Sequence, residues 1–267
     1  MYNYWRTNWK KLILGLIVAA GIGLGLYLSG LDTLPQASFS LLGSINSPTS
    51  ADRVLVIAPH QDDEVLGAGD YIQRAVSAGA KVEVVFATDG NKHGKKEIRH
   101  DEAVIADAKL GLTEDQLIFF DFPDGELSSK TEYDQFVVRL GDEIKNFQPT
   151  IVITTLIEDE HPDHAASGRA VQTLSTTVAK FTTLFFLIHS DRYPRPIGDA
   201  SEKYLLPPLK LTDEYDWEVF VASTDEQTRK RAAINSYRSQ ISLANPILRQ
   251  LLQSFDRRNE LFAKAIL

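Results

Sequence analysis

The chain contains no cysteine. Disulfide bonds and zinc sites built on thiolates are therefore excluded, and any bound metal has to be held by histidine and carboxylate side chains. The chain also lacks an excess of positive charge, since 28 lysines and arginines stand against 36 aspartates and glutamates. The formal net charge is -8 at pH 7. Nucleic-acid binding, which needs a basic face, is therefore disfavoured.

A third missing feature is the glycine-rich turn of dinucleotide-binding domains. The first short apolar run of the chain, residues 54–58, is not followed by a G-x-G-x-x-G pattern. Such glycines let the backbone approach the pyrophosphate of a dinucleotide. A nucleotide-dependent oxidoreductase is therefore disfavoured as well.

The segment over residues 12–31 lacks charged side chains and is strongly apolar. About 20 such residues are enough to cross a bilayer as a helix, so we predict a single-pass transmembrane anchor there. Basic residues precede it at Arg6, Lys10 and Lys11. The positive-inside rule then keeps residues 1–11 in the cytoplasm and places the rest of the chain outside. A cleaved signal peptide is the alternative, although the run exceeds the ~7–15 residues of a signal core and no clear A-x-A site follows.

Residues 32–51 are rich in serine and proline and indicate a linker, and residues 52–267 indicate a single domain. In that domain short apolar runs alternate with helical patterns. Strands are predicted at residues 54–58, 81–88, 116–120, 151–155 and 183–188, with helices between them. This rhythm predicts an α/β fold with a Rossmann-like, doubly wound, mostly parallel sheet and helices on both faces. After residue 190 we predict one more strand near 217–222 and helices over 224–237 and 245–264.

Two polar clusters follow predicted strands. His60-Gln61-Asp62-Asp63-Glu64 comes after the first strand, and His161-Pro162-Asp163-His164 comes after the fourth. Ligands of open α/β sheets bind beyond the carboxyl ends of the strands, at the point where the strand order reverses. If the strand order is three-two-one-four, the two clusters meet at that point.

The side chains of these clusters suit a catalytic metal site. His60, Asp63 and His164 supply the three protein ligands that leave room for water on zinc, and two histidines with one carboxylate also suit ferrous iron. Asp62 is the candidate general base, and His161 could donate a hydrogen bond to an oxyanion. Each cluster also has a simpler interpretation, because acidic residues favour helix N-termini and His161 to His164 could form a surface turn. The two clusters together favour the metal site.

Other residues near the predicted strand ends are candidates to support or line the site. Asp159 and Asp163 are candidates to accept hydrogen bonds from the outer ring nitrogens of ligand and catalytic histidines. His189 follows the fifth strand and either lines the pocket or is a buried histidine with its hydrogen bonds satisfied.

The two clusters resemble the motifs A-H-P-D-D-E and H-P-D-H of the PIG-L (LmbE-like) deacetylases, zinc hydrolases that remove acetyl groups from N-acetylglucosamine units. The resemblance implies that His60, Asp63 and His164 bind the metal, that Asp62 is the base and that His161 stabilises the oxyanion. It extends from about Arg53 to Phe262 and includes Arg99 in an R-x-x-E-A pattern and Asp124-Gly125 after the third strand.

Arg99 and Asp124 are thereby expected near the substrate. Gln61 departs from the pattern, since the family usually has proline there. Proline fixes φ and removes a backbone donor, whereas glutamine adds an amide that can reach the substrate or another side chain.

The resemblance implies a zinc-dependent N-deacetylase, a hydrolase of a linear amide bond, in which water activated by the metal attacks the acetyl carbonyl. Ferrous iron is an alternative cofactor. The expected partners are an N-acetylated glycan or glycolipid and, through the predicted anchor, a membrane. The alternatives are a non-catalytic glycan-binding protein on the same fold and a hydrolase of a different amide.

Overall fold

The computed structural model describes residues 2–29, 32–92, 94–242 and 245–265. Its strands are β1 (Gly43–Ser44), β2 (Arg53–Ala58), β3 (Lys81–Thr88), β4 (Leu117–Phe122), β5 (Ile151–Thr155), β6 (Thr182–Phe186), β7 (Tyr215–Val221) and β8 (Asn259–Ala265). Its helices are α1 (Tyr2–Ser29), α2 (Asp63–Ser77), α3 (Lys96–Leu110), α4 (Lys130–Phe147), α5 (Pro162–Thr177), α6 (Thr224–Ile234) and α7 (Pro246–Gln253).

The strands form one sheet in the order β1-β7-β8-β6-β5-β2-β3-β4. From β6 to β4 all neighbouring strands are parallel. β8 lies inside the sheet and runs antiparallel to both β6 and β7. The predicted mixed α/β fold with a mostly parallel sheet is therefore confirmed.

Both faces of the sheet are buried, which explains why the central strands are continuous apolar runs. Val54 and Val56 of β2 point into one core, and Leu55 and Ile57 point into the other. Helices α2, α3 and α6 pack together against the first core, and α4 and α5 cover the second.

Strand β2 is the point where the order of the sheet reverses. It pairs with β3 on one side and with β5 on the other, and both pairs are parallel. The expected neighbouring positions of the first and fourth predicted strands are therefore confirmed. The loops that leave β2 and β5 emerge side by side at the carboxyl edge of the sheet, where α2 and α5 begin.

No helix in the described part of the chain is long and apolar enough to cross a membrane. The predicted anchor over residues 12–31 is therefore not supported. Residues 30 and 31 of the predicted anchor lie outside the described residues. The location of the domain outside the cytoplasm stays a prediction.

Two further regions differ from the sequence prediction. The segment predicted as a linker contains β1, which pairs with β7, and a backbone hydrogen bond of 3.1 Å from Leu34 to Pro207. The predicted helix over 245–264 is wrong in its second half, because α7 ends at Gln253 and residues 259–265 form β8. A short buried strand and a buried helix segment share the same apolar pattern, and pairing with β7 along the whole length of β8 decides the outcome.

Candidate active site

The two polar clusters meet at the carboxyl edge of the sheet. His60 and Asp62 lie between β2 and α2, and His161 is the residue that caps the N-terminus of α5. Proline at the first helical position of α5 fits there because its missing N–H would have no partner within the helix. The Thr155 hydroxyl donates to the carbonyl of His164 at 2.8 Å and ties the first turn of α5 to the end of β5.

Three donor atoms, here called the donor triangle, converge between the clusters. They are His60 Nδ1, Asp63 Oδ2 and His164 Nε2, and they lie 3.1 to 3.3 Å from one another. Ligands at about 2.0–2.1 Å around a tetrahedral zinc ion are separated by about 3.3 Å. The spacing of the triangle therefore fits one metal ion held on three sides, with further positions left for other ligands.

Carboxylates hold the outer ring nitrogens of both histidines of the triangle. Asp159 Oδ2 lies 3.2 Å from His164 Nδ1 and also accepts the backbone N–H groups of Ile188 and His189, each at 3.0 Å. Asp163 Oδ2 lies 3.2 Å from His60 Nε2. The two contacts fix the ring orientations and leave His60 Nδ1 and His164 Nε2 facing each other.

Asp163 is itself tied to the loop after β4, because it accepts the backbone N–H groups of Gly125 and Leu127 at 2.7 and 3.0 Å. Asp124 from the same loop lies 3.3 Å from His60 Nε2. Two other groups of three residues also have possible metal-ligand atoms within 4.8 Å of one another. One group is His60, His161 and His164, and the other is His60, Asp124 and Asp163. These contacts make His60 the residue shared by every candidate metal site in the described chain.

The charges of the cluster call for a cation at its centre. Burial lowers the pKa of His60, but hydrogen bonds to Asp124, Asp163 and Asp63 outweigh burial and hold that pKa well above its usual value. Burial likewise opposes protonation of His164, while Asp63 and Asp159 raise its pKa to about 9. The surplus of carboxylates therefore favours positive charge between the histidines, and a divalent metal ion satisfies the same demand with the histidines neutral.

Asp62 adopts an unusual backbone conformation beside the triangle. Its φ is 128° and its ψ is −29°, a region that side chains other than glycine rarely enter. Its carboxylate Oδ1 lies 3.4 Å from Arg99 Nη2. Burial raises the pKa of Asp62 to about 7, although the charge of Arg99 acts in the opposite direction. A carboxylate with a pKa in this range is suited to exchange protons near neutral pH.

His161 presents a defined proton to the pocket. Its Nδ1 accepts the backbone N–H of Asp163 at 3.3 Å, so in the neutral ring the proton is assigned to Nε2. Burial and the neighbouring His60 and His164 lower the pKa of His161 to about 4. The ring is therefore neutral at physiological pH and offers one N–H donor to a bound ligand.

These residues border a cavity of about 370 Å³. Of the residues predicted from sequence, the cavity is lined by His60, Asp62, Asp63, Arg99, Asp124, His161 and His189. A larger open groove of about 710 Å³ lies between β4 and α4, and none of the predicted site residues lines it. Chemistry therefore favours the smaller cavity as the candidate active site.

Gln61 lies beneath the cavity and does not line it. Its side chain is buried, and its Nε2 donates to the carbonyl of Thr88 at 2.9 Å. Gly90 has a φ of 60°, and a Cβ there would lie only 2.3 Å from Gln61 Oε1. Glycine at position 90 thus gives the loop after β3 room to pass over the amide of Gln61, which supports the loop in the place where the family usually has proline.

Sequence reasoning missed the leucines that line the cavity, which are Leu248, Leu251 and Leu252 from α7. Lys92 and Lys95 from the loop before α3 line it as well. The hydrophobic period of residues 245–253 indicated a helix, but only the tertiary packing of α7 shows that its leucines border the cavity. A lysine pair in a loop is typical both of ordinary surface and of a positively charged rim, so the sequence alone did not decide between these interpretations of Lys92 and Lys95.

Comparison with known proteins covers both the sequence and the fold. Residues 55–175 match the family model PIG-L, described as GlcNAc-PI de-N-acetylase. The fold is similar to the zinc-inhibited form of the teicoplanin deacetylase Orf2, with 19% identity, a TM-score of 0.60, and coverage of 80% of this chain and 98% of that chain.

Two further solved structures share the fold. The N,N'-diacetylchitobiose deacetylase of Pyrococcus horikoshii has 21% identity and a TM-score of 0.52, with 77% of this chain and 79% of that chain covered. The 4-carboxy-2-hydroxymuconate hydratase of Pseudomonas putida KT2440 has 19% identity and a TM-score of 0.53, with 76% and 82% covered. The motif clusters at positions 60–64 and 161–164 both lie within the range of the family match, and the resemblance expected from them is confirmed: this chain carries a PIG-L domain over residues 55–175.

Proposed function

We propose that the chain is a metal-dependent N-deacetylase that removes the acetyl group from an N-acetylated sugar, an N-acetylglucosamine-type glycan or glycolipid. The observation that carries the proposal is the donor triangle of His60, Asp63 and His164 directly beside the carboxylate of Asp62. A metal-binding triangle and a carboxylate outside that triangle, in one cavity, are the parts that hydrolysis of an amide needs.

The comparisons support the same reaction class. The matching family model is described by a de-N-acetylase activity, and two structural relatives are named as deacetylases. The hydratase with a similar fold shows that the fold alone does not define the reaction. The residues of the cavity therefore support deacetylation first, and the family match adds to that support.

The donor set favours zinc, with ferrous iron as the alternative, because two imidazoles and one carboxylate suit both ions. His60, Asp63 and His164 would hold the ion. When bound, it supplies a Lewis acid that polarises the acetyl carbonyl and makes a neighbouring water more acidic. One relative was solved in a form described as zinc-inhibited, so the choice of metal has to be tested directly.

The side chains of the cavity account for the proton transfers. Asp62 takes a proton from the attacking water, and the new C–O bond turns the acetyl carbonyl into a tetrahedral oxyanion. The Nε2 proton of His161 donates to that oxyanion. Asp62 then returns the proton to the departing nitrogen, the C–N bond breaks, and acetate and a free amine remain.

The sides of the cavity suggest how the rest of the substrate binds. Arg99, Lys92 and Lys95 offer positive charge to the cavity, and Leu248 and Leu251 offer apolar contact. We propose Arg99, Asp124 and His189 as the substrate contacts nearest to the reacting group, because all three line the cavity and lie close to Asp62, His60 and His161 respectively.

The experiment is an assay for acetate release by the full-length protein against a panel of N-acetylglucosaminides, after chelation and after reloading with Zn²⁺ or Fe²⁺. We expect release to require metal and to be lost in Asp62→Ala and His164→Ala. Asp134→Ala on the exposed surface of α4 is the matched control and should keep full activity. Undiminished release from both site variants would refute the assigned roles, and glycan binding without release would favour the non-catalytic alternative.

A further inference from the structure

The backbone of Asp62 needs support from outside its own loop. Its φ of 128° costs free energy for any residue other than glycine, and such conformations persist only where the surroundings hold them. Although Asp62 precedes α2, its side chain does not cap the helix. The carboxylate is therefore not used to cap the helix, and its direction depends on the contact with Arg99 at 3.4 Å and on whatever holds this backbone.

Glu64 holds the backbone of Asp62 from below. The backbone N–H of Asp62 donates to Glu64 Oε2 at 3.0 Å, and the hydroxyl of Tyr237 donates to Glu64 Oε1. Glu64 and Tyr237 are both completely buried, and neither lines the cavity. A chain of two hydrogen bonds thus links Tyr237 to the peptide group of Asp62 without contacting the space in which a substrate would bind.

Tyr237 comes from the segment after α6, outside the range of the family match. Helix α3 fixes that segment two residues further on. Glu102 accepts the backbone N–H and the hydroxyl of Ser239, both at 2.7 Å, and Lys95 Nζ donates to the carbonyl of Ser239 at 3.1 Å. The position of the Tyr237 hydroxyl is therefore set by packing and hydrogen bonds, not by its own loop alone.

We propose that Tyr237 and Glu64 are positioning residues, which hold Asp62 in its left-handed conformation and so aim its carboxylate at the reacting water. The inference rests on the proposed function, in which Asp62 is the base. It also gives a positioning role to a segment that is remote in sequence from the active-site motifs. Asp62, the strained residue, lies near one end of the domain sequence, and Tyr237, part of its support, lies near the other.

Tyr237→Phe removes the hydroxyl and keeps the ring. We expect kcat to fall about tenfold to a hundredfold, because displacement of a catalytic group by about 1 Å is enough for such a loss. KM and bound metal should stay within about twofold of wild type, since Tyr237 does not contact the cavity or the donor triangle. Tyr71→Phe is the matched control: this tyrosine is also buried and lies on α2, and its variant should keep the wild-type kcat.

A double-mutant cycle separates positioning from general stability. If Tyr237 acts through Glu64, Tyr237→Phe should change kcat by less than about twofold in a Glu64→Ala background, because coupled residues are not additive. Glu64→Gln keeps an acceptor for the Asp62 N–H and should retain at least about ten times the kcat of Glu64→Ala. Equal losses from Tyr237→Phe in both backgrounds would overturn the proposal.

Hydrogen–deuterium exchange tests the inference without any turnover. Tyr237→Phe should speed exchange in the peptide over residues 60–66 by about tenfold while exchange in α4 stays unchanged, because support is lost locally. Equal acceleration throughout the domain, or no change at 60–66, would refute a positioning role. A wild-type protein that releases no acetate but shows the local change would refute the proposed reaction and leave the hydrogen-bond chain supported.

Discussion

The donor triangle and a second charged cluster each include a buried carboxylate of α2, which is Asp63 in the triangle and Asp70 in the second cluster. The second cluster, here called the lysine cluster, consists of Asp70, Lys230 and Glu260, each at most 1% exposed. Lys230 Nζ lies 2.7 Å from Glu260 Oε1 and 3.6 Å from Asp70 Oδ2. In the lysine cluster the positive charge is the ammonium group of Lys230, which belongs to the chain. The donor triangle has no lysine or arginine, and its two histidines would be neutral with a metal ion bound.

That difference separates two uses of buried charge. Breaking the lysine cluster should cost stability, because it leaves carboxylates without a cation inside the protein. Changing the side chains around the triangle should cost activity, because the cavity gives them access to water and to a bound ion. Variants along α2 can therefore break or sharpen the comparison.

Asp62→Asn should have the largest effect. The amide cannot take a proton from water, and general-base catalysis contributes about 10²- to 10⁴-fold. We therefore expect kcat to fall by about that factor, with bound metal and the free energy of unfolding no lower than in wild type, since a buried charge is removed. Steady-state kinetics, metal analysis and urea denaturation measure the three quantities. Asp70→Asn on the same helix is the control that should keep kcat, and a loss below about threefold in Asp62→Asn would contradict the assigned base.

Lys230→Met should show the opposite pattern. Removing the only cation of the cluster leaves the carboxylate of Glu260 without its ion-pair partner, and breaking a buried ion pair in this way costs about 3–5 kcal/mol of unfolding free energy. Urea denaturation at neutral pH measures the loss. The double variant Lys230→Met with Glu260→Gln should regain part of it. A loss below about 1 kcal/mol would mean that the cluster is not the stabilising pair described here.

The pH dependence of the free energy of unfolding should reveal the raised pKa of Asp70. Burial raises its pKa to about 8, partly offset by Lys230. Because the folded state then holds a proton that the unfolded state releases near pH 4, this contribution to stability is complete below about pH 4 and is lost as pH rises through about 8. Asp70→Asn should remove that slope, up to a tenfold change in the folding equilibrium per pH unit. Parallel curves for wild type and variant between pH 5 and 8 would refute the shift.

The sequence predicted much of the candidate active site but not the lysine cluster. Strand order, the meeting of the motif loops and the contacts of Asp159 and Asp163 with the histidine rings all follow from local patterns at strand ends. No such pattern in the sequence indicates the lysine cluster, because Asp70, Lys230 and Glu260 are far apart in the chain. Each of them resembles an ordinary residue of a helix or of the C-terminal region. β8 was mistaken for helix for the same reason, since its identity depends on pairing with β7.

Gln61 and Tyr237 show the same limit inside the site. A glutamine in a polar motif suggested contact with the substrate, yet Gln61 supports the loop of Thr88 and Gly90 from below. Tyr237 is buried like any aromatic residue of the core, but its hydroxyl donates to Glu64. Residue type predicts which groups can do chemistry, while the direction of each side chain depends on contacts that only the folded chain brings together.

Breaking the ion pair between Arg74 of α2 and Glu226 should have the smallest effect on stability among the variants compared along α2. Arg74 Nε and Nη2 each lie 2.6 Å from an oxygen of Glu226, and the arginine side chain is 32% exposed. Despite burial, Arg74 and Ser223 lower the pKa of Glu226 to about 2, so its contribution is complete above about pH 4.5 and is lost as pH falls through about 2. Glu226→Gln should therefore cost about 1 kcal/mol of unfolding free energy at pH 7, and the difference should vanish near pH 2.

Thermal unfolding at both pH values checks this, with the exposed Asp134→Asn as a control that should show no change. A cost as large as that of Lys230→Met would mean that access to water does not weaken the pair, and the contrast between enclosed and exposed charge along α2 would fail.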